Sequence, residues 1–245
     1  MKVCVSVVSH NHGEMAFNLV KYLVSLPSID KVILTININE SIPLFYSAKL
    51  RLVVNNKPKG FGANHNSAFN ISRSDFFCVI NPDVIISSDI FIKLLEKFHD
   101  PSIGLVGPLV FNSQGIEEDS LRCFLTPFGI VKRIFKANSV MYKINNNDND
   151  VTPDWISGLF MLFPSRVFQH VGGFDEDYYM YCEDADICTR LWKKGYKVLG
   201  CPSVSIIHNA QRASHKNLRH FYWHLKSLLL YFLKHSFRLP KKQIT

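Results

Sequence analysis

Short apolar runs alternate with helically spaced ones through the first eighty residues, and that alternation restricts the chain to an α/β sheet with crossover helices. Residues 3–8 read as a buried strand. Residues 14–26 place Phe17, Leu19, Val20, Leu23 and Val24 at helical spacing, and strands follow at 31–37 and 52–55. A glycine turn, a short helix near 64–71 and the apolar strand 76–80 complete the pattern. Loops at the carboxyl ends of parallel strands converge on one crevice, where such sheets bind ligands. Three polar clusters occupy such ends: Ser9-His10-Asn11, Asn55-Asn56-Lys57 and Asn81-Pro82-Asp83.

With 245 residues, 47% of them hydrophobic, the chain can bury a core as one large domain or two fused halves. The expected division is a nucleotide-binding half over 1–105, an acceptor half over 106–215, and a tail over 216–245. The polar stretch 145–150 offers almost nothing to bury and reads as a mobile loop. None of the six cysteines forms a CxxC pair, and several lie in apolar runs, so reduced thiols in a reducing cytoplasm are expected. The apolar start is too short for a signal peptide, and no stretch approaches the roughly 20 residues needed to span a bilayer. A soluble or surface-attached protein is expected.

The formal charge of +8 is unevenly placed: all twenty acidic residues and sixteen of the 28 Lys and Arg lie at or before Asp186. The first 186 residues therefore carry −4 and the rest +12. A basic end of this kind suits a polyanionic surface. In the tail, Leu218, Phe221, Tyr222, Leu225, Leu228, Leu229 and Phe232 recur at helical spacing, accompanied by Lys216, Arg219, Lys226, Lys234 and Arg238. Two uses fit: a helix lying on anionic lipid, or a terminal helix packed on its own domain. The chain has no helix-turn-helix, RNP-type or zinc-finger pattern, so nucleic acid is a poorer account of the charge.

Four segments carry residues able to do chemistry. Asp83 directly follows an apolar strand, where it can reach a divalent cation carrying diphosphate oxygens, or simply end the strand in a turn. The turn at 60–66 could bring backbone N–H groups to a nucleotide, or only join strand to helix. Residues 173–186 hold six carboxylates among aromatic residues. Acids at a helix start answer the helix dipole, while one of them could act as a general base. His208 ends an apolar strand and is either structural or a metal ligand.

Taken in order, these segments resemble family 2 glycosyltransferases of GT-A fold over about the first 210 residues, and look most like bacterial O-antigen rhamnosyltransferases. The resemblance rests on Val8-Ser9-His10-Asn11-His12, Gly60-Phe61-Gly62-Ala63-Asn64-His65-Asn66, Asn81-Pro82-Asp83, Asp154-Trp155-Ile156-Ser157-Gly158, the run from Gly173 to Asp184, and Ile207-His208. Trp223-His224-Leu225-Lys226-Ser227 in the tail is similar as well. The implied fold is a mostly parallel sheet flanked by helices, a Rossmann-like nucleotide-binding half fused to an acceptor half.

Asn81-Pro82-Asp83 stands where that family has its DxD motif, which implies Asp83 as a ligand of Mg2+ or Mn2+ and Asn81 beside the donor. His208 matches a histidine that completes the metal site in some members. Asp184 matches the base, with Glu183 positioning the acceptor or the base. Ser9, Asn11, Lys59, Gly60, Gly62, Asn64 and Asn66 would border the nucleotide sugar, while Trp155, Ser157 and Gly158 would line the sugar or acceptor pocket. The implied reaction is a single inverting displacement, from dTDP-rhamnose to a saccharide on undecaprenyl diphosphate, at the inner face of the bacterial cytoplasmic membrane. UDP-galactose and UDP-glucose are alternative donors, and a catalytically silent nucleotide-sugar-binding subunit is the rival reading.

Overall fold

The structure is a computed structural model, and it describes residues 1–43, 45–134, 149–208, 218–235 and 238–240. Residues 145–148 of the polar stretch lie outside the described residues, as do Lys216 and parts of the tail. In chain order the elements are β1 (Val3–Ser9), α1 (Glu14–Ser25), β2 (Ile29–Ile36), β3 (Leu50–Val54), α2 (Phe61–Ile71), β4 (Phe76–Ile80), β5 (Val84–Ile85), α3 (Phe91–Glu96), β6 (Ile103–Asn112), β7 (Leu121–Arg122), α4 (Pro127–Ile134), β8 (Trp155–Ile156), β9 (Phe160–Pro164), α5 (Ser165–Val171), α6 (Glu183–Lys193), β10 (Lys197–His208) and α7 (Leu218–His235).

Eight strands form one sheet in the order β3-β2-β1-β4-β9-β6-β10-β5, and β7 pairs with β8 separately. The first four are mutually parallel. β9 runs antiparallel to both β4 and β6, whereas β10 is parallel to β6, so β4 and β10 end at the same edge. Helices cover both faces, which is why β4 is a continuous apolar run rather than an alternating one. Alternate residues of β1 serve opposite faces: Val3, Val5 and Val7 join the core with Leu19, Val20 and Phe91, while Cys4 joins Phe77, Phe168 and Tyr178. All six cysteines are free.

Two helix starts differ from the sequence expectation. α2 begins at Phe61 instead of near Asn64, because Gly60 serves as its cap residue and Phe61 N–H donates to Tyr179 O at 3.0 Å. Gly62 is consequently in the first helical turn. α6 begins at Glu183, one residue earlier than the pattern suggests, after two left-handed residues, Tyr181 (φ 74°) and Cys182 (φ 64°).

Among the described residues no helix is long and apolar enough to cross a membrane. α7 packs on its own domain, one of the two uses expected of the tail, and leaves its opposite face exposed. Tyr231 is fully buried with its hydroxyl 2.8 Å from Thr189 Oγ1, and His235 Nε2 lies 2.9 Å from Asp186 Oδ1. Leu228 and Phe232 pack inward beside them. Phe221, Tyr222, Leu225, Leu229 and Leu233 form an exposed stripe along the outer face.

Candidate active site

The carboxyl ends of β1 to β4 and β10 supply one polar edge. Register brings Asp83 to His208: Val84 of β5 pairs with His208 of β10, and Asp83 immediately precedes it. Asp83 Oδ2 lies 3.1 Å from His208 Nε2, and Asp83 Oδ1 is buried without a hydrogen-bond partner among the described residues. On the other side of the ring, His208 Nδ1 lies 2.5 Å from Glu118 Oε2. Burial lowers the imidazole pKa, but the hydrogen bonds to Asp83 and Glu118 outweigh it and hold His208 above its ordinary value.

The turn after β1 is closed by a residue that the motif reading passed over. Glu40 accepts the backbone N–H groups of Asn11 and Gly13, each at 3.0 Å. Burial works against the Glu40 charge, yet these amides and the Ser9 hydroxyl hold its carboxyl below the ordinary range. Asn11 is exposed and left-handed at φ 66°, a conformation asparagine tolerates. Ser9 is fully buried, with Oγ accepting from His12 N–H at 3.3 Å, so it shapes the turn rather than facing a ligand directly.

The turn before α2 rests on an amide network. Asn37 Oδ1 accepts Lys59 N–H at 2.9 Å and Asn55 Nδ2 at 2.9 Å, while Asn64 donates to Lys59 O and Gly60 O. Asn64 is buried, and Asn66 binds Phe174 through both N–H and C=O. Both amides hold α2 against its neighbours. The glycines likewise admit the protein's own chain. A Cβ on Gly60 would lie 2.6 Å from Tyr179 O, and one on Gly62 would lie 2.7 Å from Phe174 Cβ. Gly60→Ala should cost about 1–3 kcal/mol, a fall in Tm on the order of 5 °C by calorimetry.

The acidic run ends in a pair with unlike surroundings. Asp184 is partly exposed; Oδ2 accepts Gly158 N–H at 3.0 Å and Oδ1 accepts Ala185 N–H at 2.8 Å. Burial raises its pKa, partly offset by the Arg122 guanidinium and these amides. Glu183 is buried, and its Oε2 has no hydrogen-bond partner among the described residues. Burial and the charges of Asp184 and Asp186 push its carboxyl well above the ordinary range. Burial thus favours the protonated form of Glu183 more strongly than that of Asp184, whose charged form has the guanidinium and two amides beside it.

Trp155 is buried, donates Nε1–H to Cys123 O at 2.8 Å, and carries the Arg122 guanidinium 4.7 Å above its ring, so it supports that cation. Ser157 is buried too, leaving the Gly158 amide as the contribution of that segment to the pair. α7 reaches the same place. Ser227 Oγ donates to Met180 O at 2.8 Å, and the Tyr181 hydroxyl lies 2.8 Å from His220 Nδ1, just ahead of Glu183. Glu40, Glu118 and Arg122 were not legible beforehand. The acids at 117–119 were the only local signal, and nothing in them singled out residue 118.

The profile of the family described as "Glycosyltransferase like family 2" matches residues 22–221. The chain belongs to that family. This family 2 glycosyltransferase is 30% identical over 184 residues to "Rhamnosyltransferase WbbL" of Escherichia coli, covering 70% of this chain and 69% of that one. It is 28% identical over 167 residues to the "N-acetylglucosaminyl-diphospho-decaprenol L-rhamnosyltransferase" of Mycobacterium tuberculosis, covering 64% of this chain and 54% of the relative. The chain thus spans about half the length of the mycobacterial protein. Its fold is GT-A: the mannosyltransferase PcManGT from Pyrobaculum calidifontis, solved with GDP-Man and Mn2+, superposes with TM-score 0.63 at 14% identity, covering 97% of this chain and 65% of the other.

Proposed function

We propose that this glycosyltransferase moves L-rhamnose from dTDP-rhamnose, with inversion, to a hydroxyl of a lipid-linked saccharide in bacterial surface polysaccharide synthesis. The observation that carries the reading is the Glu183–Asp184 pair, whose partly exposed member, Asp184, is held by the Gly158 and Ala185 amides beside an edge able to hold a diphosphate. The names of the two relatives support rhamnose and a polyprenyl diphosphate acceptor. Residues 1–105 would hold the donor and 106–215 the acceptor.

Asp83 and His208 fit a divalent cation. Their facing atoms are 3.1 Å apart, about the ~3 Å expected between adjacent ligands of an octahedral ion with bonds near 2.1 Å. Asp83 Oδ1 is buried and without a hydrogen-bond partner among the described residues. No group of three or more His, Cys, Asp or Glu side chains that could hold an ion is found among the described residues, so diphosphate and water would complete the shell. A bound Mg2+ or Mn2+ would neutralise charge on the departing nucleoside diphosphate. Asp184 takes the proton of the acceptor hydroxyl as its oxygen bonds to the anomeric carbon, and the bond from that carbon to the diphosphate breaks. The Arg122 guanidinium and the Gly158 amide favour the charged form of Asp184 against the effect of burial. Burial and the neighbouring acids favour the protonated form of Glu183, which makes Asp184 the better proton acceptor of the two.

A donor panel of dTDP-rhamnose, UDP-galactose and UDP-glucose against an N-acetylglucosaminyl diphospholipid tests the reading, with linkage read by NMR. An α-rhamnoside from dTDP-rhamnose alone is expected. Transfer only from a UDP-hexose would move the donor assignment, and no nucleoside diphosphate release from any donor would favour the silent subunit.

The exposed stripe on α7, with Arg219 and Lys226 on the same helix, is suited to an anionic membrane surface, where each cation contributes about 1 kcal/mol. Because Tyr231 and His235 are buried, deletion of the helix would damage the core, and outward substitutions are the cleaner test. Leu225→Glu with Leu229→Glu should abolish sedimentation with phosphatidylglycerol vesicles while donor affinity stays unchanged. Undiminished sedimentation would remove α7 from the membrane contact.

A further inference from the structure

The hairpin after β6 folds back along it. Glu118 N–H donates to Val110 O at 2.8 Å, Asn112 N–H donates to Ile116 O at 2.8 Å, and Asn112 Oδ1 accepts the N–H groups of Gln114 and Ile116. This fixed backbone carries Glu118 to His208, a residue 90 positions away in sequence, with 2.5 Å between Oε2 and Nδ1. Nε2 of the same ring faces Asp83 at 3.1 Å.

An imidazole gives one nitrogen to a cation only while the other carries hydrogen, and the partner of that second nitrogen sets the ring plane. A carboxylate only accepts. Opposite Glu118, therefore, Nδ1 carries hydrogen; Nε2 bonds to Asp83 in the metal-free site and is the nitrogen that would give up its proton to take a cation beside Asp83.

The geometry points to Glu118 as a positioning residue that fixes the tautomer and plane of His208, so that Nε2 and Asp83 together take a divalent cation. The inference rests on the reading of Asp83 and His208 as its ligands. Glu118 does not touch the ion. Its hydrogen bond also makes the distal nitrogen a stronger donor of electron density, which tightens the site.

Titration of Mn2+ alone, followed by EPR, tests this on the full chain in wild type, Glu118→Ala, Glu118→Gln and His208→Ala, with Tm measured metal-free for each. Wild type should bind Mn2+ with imidazole-nitrogen coupling in its electron spin-echo spectrum, and His208→Ala should lose that coupling. Glu118→Ala should weaken binding about 10–100-fold and reduce the coupling. Glu118→Gln should restore part of both, because an amide oxygen still accepts from Nδ1–H. Glu118→Ala binding Mn2+ like wild type, with or without a lowered Tm, overturns the positioning role and leaves the Asp83–His208 site standing. Absence of nitrogen coupling in wild type overturns the site and this inference together.

Discussion

Asp184→Asn should reduce sugar transfer by about 10²–10⁴-fold, the range a positioned general base contributes, while dTDP-rhamnose binding measured calorimetrically stays at the wild-type level. An asparagine keeps the shape and can still accept the Gly158 amide that Asp184 accepts at 3.0 Å, so the loss isolates proton abstraction. Turnover retained in this variant would move the base to Glu183. The pH profile gives a second readout. Asp184 must be ionised to act, and burial holds its pKa above the ordinary 3.8, so kcat/KM should rise with pH through a limb displaced upward from that value. Glu183→Gln should leave that limb nearly in place, because burial and the charges of Asp184 and Asp186 already favour the protonated form of Glu183. A large downward displacement would mean that Glu183 is charged in the native enzyme.

Asp83→Ala should remove the metal-dependent part of donor binding, on the order of 100-fold, comparable with truncating one partner of a buried charged contact. The cause is double. The carboxylate whose Oδ1 has no partner among the described residues is gone, and among those residues His208 keeps Glu118 as its ionic partner. Calorimetry of dTDP with and without Mn2+ separates this from a general loss of folding: binding without metal should match wild type. An unchanged Mn2+ requirement in the variant would defeat the assignment of Asp83.

The strands were legible because burial on both faces demands uninterrupted apolar runs, as in β4, and the crossover helices because their apolar spacing is helical. Strand ends then located Ser9, Asp83 and His208 at one edge, since parallel strands direct their carboxyl ends together. Asn64, Asn66 and Trp155 were legible as motif residues, but the partners that each takes in the fold were not. Whether an amide faces a ligand or a neighbouring backbone depends on what the fold packs beside it, and here that is Phe174 and the turn at Lys59 and Gly60.

Sequence by itself determined the α/β alternation, the acidic run ahead of a helix, the basic tail and its helical stripe, all of them local patterns of polarity and spacing. Tertiary structure decided which carboxyl of the Glu183–Asp184 pair is the more buried, which face of α7 is buried, and that Glu118 reaches His208. Each of these depends on desolvation or hydrogen bonding by groups far apart in the chain. Gly158 lies 26 residues from Asp184, and Glu118 lies 90 from His208. No local pattern encodes such partners; the register of β5 on β10 and the hairpin after β6 bring Asp83, His208 and Glu118 together.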